Sequence, residues 1–163
     1  MRACDYYDEF EKPKILFPDI SIRGNFTLDL EGGIFCGNTA YIIPVNDLFL
    51  LGLLNSDLFN FIYRQISSSY RGGYLRYIYQ YVTQLPVVRI EGTNQDQVAL
   101  QTRIIDLVSK LLSLSRQKAS YPLEEDQIKN YTFETEKEVN KLIGKLFGLG
   151  SDQLLKVNED KSK

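Results

Sequence analysis

Short apolar runs separated by turn residues fill the first part of the chain, and two long periodic stripes fill its last part. Residues 15–17, 20–23, 26–30, 34–36 and 39–43 are β-prone, and they are broken by Pro18-Asp19, Gly24-Asn25, Glu31-Gly32-Gly33 and Gly37-Asn38. Turns every few residues predict antiparallel pairing, because parallel strands need long crossovers. Phe26, Leu28 and Leu30 alternate and are expected on one face.

The pattern then changes period. Asn46 is the expected N-cap of a helix, with Asp47 in its first turn, ahead of Leu48-Phe49-Leu50-Leu51-Gly52-Leu53-Leu54. A helix apolar on nearly every side is a buried one. Asn55-Ser56 interrupts it, and Ser56 is expected to cap a second helix to about residue 66, with Leu58, Phe59, Phe61, Ile62 and Ile66 as its apolar positions. A serine run and Gly72-Gly73 predict a loop, and residues 74–82, dense in tyrosine and β-branched side chains, predict a strand.

Residues 91–96 are a polar linker, and beyond them Leu100, Ile104, Leu107, Leu111 and Leu114 advance by 4, 3, 4 and 3. That is the spacing of a coiled-coil seam, so a helix of about 20 residues, roughly 30 Å long, is expected. Ser120-Tyr121-Pro122 stops or restarts it. A second amphipathic helix carries Val139, Leu142, Ile143, Leu146 and Phe147, with Thr135 and Glu138 at capping-box spacing. Gly148 and Gly150 should end it, Ser151 should cap a last short turn, and the charged tail from Asn158 is expected to fray. The whole reads as α+β: an antiparallel β-rich domain with packed helices over residues 1–92, followed by a C-terminal helical spacer or hairpin over 93–163.

Charge sharpens this picture. The 33 residues between Asp57 and Glu91 contain no Asp, Glu or Lys, four arginines (Arg64, Arg71, Arg76, Arg89) and eight aromatics, six of them tyrosine. This segment carries +4 in a chain whose formal charge is −2, so the remainder sums to −6. With a pI near 5.3, polyanion binding has to be local. The sequence has no histidine, which removes His-based acid-base and nucleophilic sites and most zinc sites, and it has no glycine-rich phosphate or dinucleotide loop. Cys4 and Cys36 are too few for a disulfide framework, and no signal peptide or 18-residue apolar span is visible. A cytoplasmic, reduced, non-catalytic binding module is expected. The opening Met1-Arg2-Ala3-Cys4-Asp5 has no targeting or capping logic and reads as the interior of a longer protein.

Four stretches occur in order: Glu11-Lys12-Pro13-Lys14-Ile15, Leu53-Leu54-Asn55-Ser56, Arg71-Gly72-Gly73 and Leu85-Pro86-Val87. In this order they resemble TaqI-like C-terminal specificity domains, the target-recognition domains of type IIG restriction-modification enzymes and related adenine-specific DNA methyltransferases. The closing Val139-Asn140-Lys141-Leu142 to Leu146-Phe147-Gly148-Leu149 is similar to that family's C-terminal end, with Phe147 and Gly150 where Tyr and Thr are more usual. The last helices are similar to spacer helices of type I specificity subunits. The resemblance implies a preceding methyltransferase domain that binds S-adenosylmethionine and carries an Asn-Pro-Pro-Tyr-type motif at a flipped adenine. Neither that motif nor a cofactor loop is in this sequence. No cofactor is therefore expected here, and magnesium in the parent is left open. The implied partners are double-stranded DNA and the methyltransferase domain, with no membrane and with self-association through the helices left open.

Arg64, Ser68, Ser69, Arg71, Gly72, Gly73 and Arg76 are the candidate contacts to the DNA backbone. Glycines let main-chain N–H groups approach phosphate, and arginines supply charge and bidentate hydrogen bonds. The plainer reading is a surface loop whose glycines only make a turn. The candidates for base reading are Arg23, Asn25, Asn38, Gln80, Tyr70 and Tyr74. For Asn25 and Asn38 a plain turn role beside glycine is preferred. Tyr70 and Tyr74 are expected outside, with Tyr77, Tyr79 and Tyr81 mainly packed. Asp152 with Glu159-Asp160-Lys161 mimics a metal-dependent nuclease signature, but a solvated charge run explains it better, and no catalytic or metal-binding residue is assigned. The competing function class is a protein-interaction module docking through the aromatic and arginine patch or the heptad helix.

Overall fold

The structure is a computed structural model that describes residues 6–159. It forms two compact units: one comprises the residues up to Asn55 together with Phe59–Pro86, and the other comprises Ser56–Leu58 with the chain from Val87 onward. Mixed α+β architecture follows, with small antiparallel sheets ahead of long packed helices.

In the first unit, β1 (Lys14–Pro18) is the centre of an antiparallel sheet of order β3-β1-β4. Its neighbours are β3 (Thr27–Asp29) and β4 (Ala40–Ile43), and Ile15 pairs with both Leu28 and Ile43. A central strand is covered on both faces, which is why residues 15–17 form an unbroken apolar run, and all three are buried. β2 (Ile20–Ser21) pairs with β5 (Leu75–Arg76) in a second, two-stranded sheet. Asp19 joins the two sheets. Its N–H donates to Thr39 O at 2.9 Å, beside β4, and its carbonyl accepts from Tyr77 N at 2.6 Å, at the end of β5.

Residues 34–36 form no strand, contrary to their apolar composition. The Asp29 carboxylate accepts the Gly32 and Ile34 N–H groups at 3.0 and 3.1 Å, and those donors are lost to any ladder. The same carboxylate takes the buried Lys14 ammonium at 2.6 Å, and Lys14 Nζ also donates to Phe10 O at 2.6 Å. Gly32 has φ +80°, and a Cβ there would meet the Glu11 carbonyl, so this loop closes only on glycine. β3 ends at Asp29, so the alternation stops short of Leu30; Phe26 and Leu28 are buried while Leu30 is exposed.

Helix α1 (Leu48–Asn55) is buried along most of its length, as its apolar sequence requires. Its cap is Asp47 rather than Asn46: Asp47 Oδ1 accepts the Leu50 N–H at 3.0 Å, the third helical position. α2 (Asp57–Ile66) follows directly after Ser56. The strand expected over residues 74–82 shrinks to β5, and Tyr79–Val82 is a helical turn, α3. β2 offers only two residues to pair with, and Asp19 already takes the Tyr77 N–H, so a longer strand has no partner. Tyr77 is therefore buried, while Tyr79, expected to be packed, is 79% exposed.

In the second unit, α4 (Gln95–Ser115) and α5 (Pro122–Leu146) form a hairpin. Asn94 caps α4 through the Gln97 N–H at 3.1 Å. The contacts Arg103 to Glu138 and Lys110 to Tyr131 run in opposite senses along the two helices, which are therefore antiparallel. Ile104, Leu107 and Leu114 of the predicted stripe are buried with Val108, Leu100 and Leu111 are half-buried, and Val139, Ile143 and Leu146 are buried on α5. Asp57 N donates to Asn140 Oδ1 at 2.8 Å within this unit.

α5 starts 13 residues before Thr135, at Pro122. Proline at the first helical position has its φ preset for the helix and no N–H to leave unpaired, so the helix begins there. Thr135 is then interior: its hydroxyl donates back to Tyr131 O at 2.7 Å, and Glu138 pairs with Arg103, so the two form no capping box. Gly148, at φ +69°, ends α5 in a Schellman motif, with Gly148 N to Lys145 O at 3.1 Å and Leu149 N to Gly144 O at 2.9 Å. α6 (Ser151–Glu159) takes Gly150, not Ser151, as its cap, and Gln153 Oε1 accepts the Gly150 N–H at 2.9 Å. Of the charged tail and the nuclease-like set, Asp160 and Lys161 lie outside the described residues, as does Cys4. Asp152 and Glu159 are exposed on α6.

Candidate nucleic-acid interface

The acid-free stretch builds a hairpin. After α2 closes with Ser67 N to Tyr63 O, Ser69 bridges to Leu75 and the Tyr70 N–H donates to Tyr74 O at 2.6 Å. Arg71, Gly72 and Gly73 make the tip, a single 3-10 turn. Gly72 and Gly73 have φ +73° and +79°, two successive left-handed residues that only glycine adopts without strain. The tip is exposed, and Tyr70 and Tyr74 flank it at 50% and 40% exposure. Arg71, Ser68 and Ser69 are exposed as well.

β5 is the middle of this assembly, since Leu75 faces both Ser69 and Ser21. Because β2 is antiparallel to β5, the residues that follow Ser21 run toward the hairpin tip. They lead into the turn Arg23-Gly24-Asn25, whose main chain is clamped from below. Gly24 N donates to Asn60 Oδ1 at 2.5 Å, and Asn55 bonds both main-chain groups of Phe26, accepting its N–H at 3.0 Å and donating to its carbonyl at 2.9 Å. A Cβ on Gly24 would lie 2.7 Å from Leu54 O, so the turn sits directly on the end of α1.

Beneath β5, Tyr63 and Tyr77 stack at 4.2 Å with planes 3° apart, and Tyr63 Oη donates to Arg76 O at 2.7 Å. Burial pushes both phenols well above the ordinary tyrosine range. At Tyr77 the Arg64 and Arg23 guanidinium groups oppose that rise, but burial outweighs them.

The predicted residues therefore separate. Tyr70, Arg71, Gly72, Gly73 and Tyr74 gather at the hairpin tip, and Arg23 lies on the turn to which β2 leads. Arg76 is held in β5, its Nε 3.0 Å from Asp19 Oδ1, so a carboxylate already offsets its charge. Arg64 is half-buried in the last turn of α2. Asn25 is exposed but its amide donates to Ser21 Oγ at 2.8 Å. Asn38 is exposed on the turn before Thr39, and Gln80 is exposed on α3. Sequence reasoning passed over Asp19, Asn55 and Asn60. A polar residue closing an all-apolar helix, as Asn55 does, was the available signal, because a buried amide there must find main-chain partners. Among the described residues no group of three or more His, Cys, Asp or Glu side chains could hold a metal ion, and no helix is long and apolar enough to cross a membrane.

Residues 3–87 match the model of the TaqI-like C-terminal specificity domain, and the chain belongs to that family. It is a specificity, or target-recognition, domain of the TaqI-like type. One relative is the type II methyltransferase M.BanIII of Aneurinibacillus aneurinilyticus, 33% identical over 132 residues. The alignment covers 77% of this chain and 22% of that protein, so the chain spans about a fifth of the curated relative.

Proposed function

We propose that this chain binds duplex DNA sequence-specifically as the recognition module of a type IIG restriction-modification enzyme or adenine-specific methyltransferase. Methyl transfer with S-adenosylmethionine would reside in the rest of the parent, which the module would join as its partner on DNA. The observation that carries this reading is the exposed tip Arg71-Gly72-Gly73 between two exposed tyrosines, in a stretch without a single acid. Main-chain N–H groups at left-handed glycines and a guanidinium suit phosphate oxygens, while flat rings suit bases or sugars. Gly72, Gly73, Arg71, Ser68 and Ser69 take the backbone role, with Arg64 behind them. Tyr70, Tyr74, Arg23, Asn25, Asn38 and Gln80 are the pool for sequence reading. Arg76 contributes less field than its formal charge, because Asp19 pairs with it.

Fluorescence anisotropy with labelled duplex across a salt titration tests this. Affinity should fall linearly on a log–log plot, with a slope of about −0.9 for each phosphate neutralised. Arg71→Glu should weaken binding to all sequences alike and reduce the slope by about 1. Arg71 is the better probe than Arg76, whose replacement also breaks the Asp19 contact. Unchanged affinity in Arg71→Glu refutes the hairpin as the contact surface. Docking through the heptad helix is the competing reading, and it is less well supported because Ile104, Leu107 and Leu114 of its seam are buried while the arginine hairpin is exposed.

A further inference from the structure

The Arg23-Gly24-Asn25 turn is fixed more firmly than a surface turn needs. Two buried or half-buried asparagines grip it through main-chain atoms at Gly24 and Phe26, with a Cβ-sized exclusion at Gly24. Phe26 itself is buried against Phe17 and Tyr77. The Asn38 turn, by contrast, is tied through main-chain groups at its flanks, Ala40 N to Gly37 O at 3.3 Å and Asp19 N to Thr39 O at 2.9 Å. Of the two polar side chains the clamped turn carries, Asn25 spends its amide on Ser21. Arg23 is exposed, and no carboxylate among the described residues pairs with it, whereas Arg76 is tied to Asp19.

We propose that Arg23 reads a guanine edge in the target duplex and that Asn55 and Asn60 are its positioning residues. This rests on the DNA-recognition reading above. A guanidinium fork matches the O6 and N7 acceptors of guanine bidentately in the major groove, and such a contact discriminates only when its base is held to within about half an ångström. The clamp supplies that support from helix ends, and the hairpin tip toward which the turn runs supplies the phosphate contact that sets register.

The test selects binding sites from a randomised duplex library with the whole chain, then measures affinity for the selected site with each guanine replaced by 7-deazaguanine, which lacks the N7 acceptor. One guanine should be required, its replacement weakening wild-type binding about 10-fold. Arg23→Ala, an exposed substitution, should lose that discrimination while salt-dependent binding persists. Asn60→Ala, with its fold checked by circular dichroism, should lose discrimination in the same way. A site with no required guanine, or discrimination that survives in Arg23→Ala, overturns the assignment while DNA binding stands. Absence of any salt-dependent binding at low salt fails the DNA reading itself and this inference with it.

Discussion

Replacing Lys14 by methionine isolates the energetics of the loop that closes the recognition unit. Its ammonium is fully buried, 2.6 Å from Asp29 Oδ2 and 2.6 Å from Phe10 O. Removing one member of a buried pair costs about 3–5 kcal/mol, because the other charge is left without its counterion. Here Asp29 keeps the Gly32 and Ile34 N–H groups, and Phe10 O keeps Gly33 N at 2.8 Å, so the lower end, about 3 kcal/mol, is expected. Urea unfolding followed by tyrosine near-UV dichroism, to which stacked Tyr63 and Tyr77 contribute, reads this unit. At an m-value of about 1–2 kcal/mol/M the midpoint should drop by about 1.5–3 M. The pH dependence gives a second, independent sign. Burial pushes the Asp29 carboxyl up, but the Lys14 ammonium and the Ile34 and Gly32 N–H groups outweigh it and hold it below the ordinary aspartate value. The unfolded chain then binds the proton more readily, so wild-type stabilisation from Asp29 is full above about pH 5 and is lost as pH falls through the lowered native value. In Lys14→Met the ammonium no longer opposes burial, the native carboxyl rises toward the unfolded value, and the loss of stability on acidification below about pH 5 should shrink. A midpoint shift below about 0.5 M, or identical pH dependence in the two proteins, refutes the coupling.

Gly24→Ala should destabilise the first unit by about 1–3 kcal/mol, because the new Cβ meets a main-chain carbonyl that cannot swing aside; thermal unfolding measures it. Tyr63→Phe removes the hydroxyl that donates to Arg76 O and should cost about 1 kcal/mol, and in the wild type two phenols should resist spectrophotometric titration until the unit unfolds. Ile143→Ala, at a position with no exposed surface in the α4–α5 hairpin, should cost about 2–5 kcal/mol by denaturant melt.

The sequence made some of this legible and hid the rest for definable reasons. β1 and the seam of α4 were readable because burial on both strand faces, or along one helix stripe, leaves a direct mark on residue type. The tyrosine-rich segment misled, because tyrosine and β-branched side chains favour a strand only when a partner strand exists, and β2 runs out after two residues. Thr135 and Glu138 mimicked a helix start because cap spacing is short and common, while Pro122 had already fixed the true one. At the candidate interface the exposed pieces, Arg71, Tyr70 and Tyr74, stood out by charge and aromatic content. Their supports did not. Asp19, Asn55 and Asn60 act across 29 to 57 residues of chain, and a single sequence gives no register for such contacts.

The way Asn55 and Asn60 hold the Arg23 turn has a consequence for how such a domain diversifies. Both amides grip main-chain atoms of Gly24 and Phe26, so these bonds do not depend on which side chain stands at position 23. Position 23 is thus a socket: its mounting is indifferent to the fitting it carries, so residues there can be exchanged while strands, clamp and core stay as they are. On the proposed reading of Arg23, a new preference would take one codon, with the clamp left as it is.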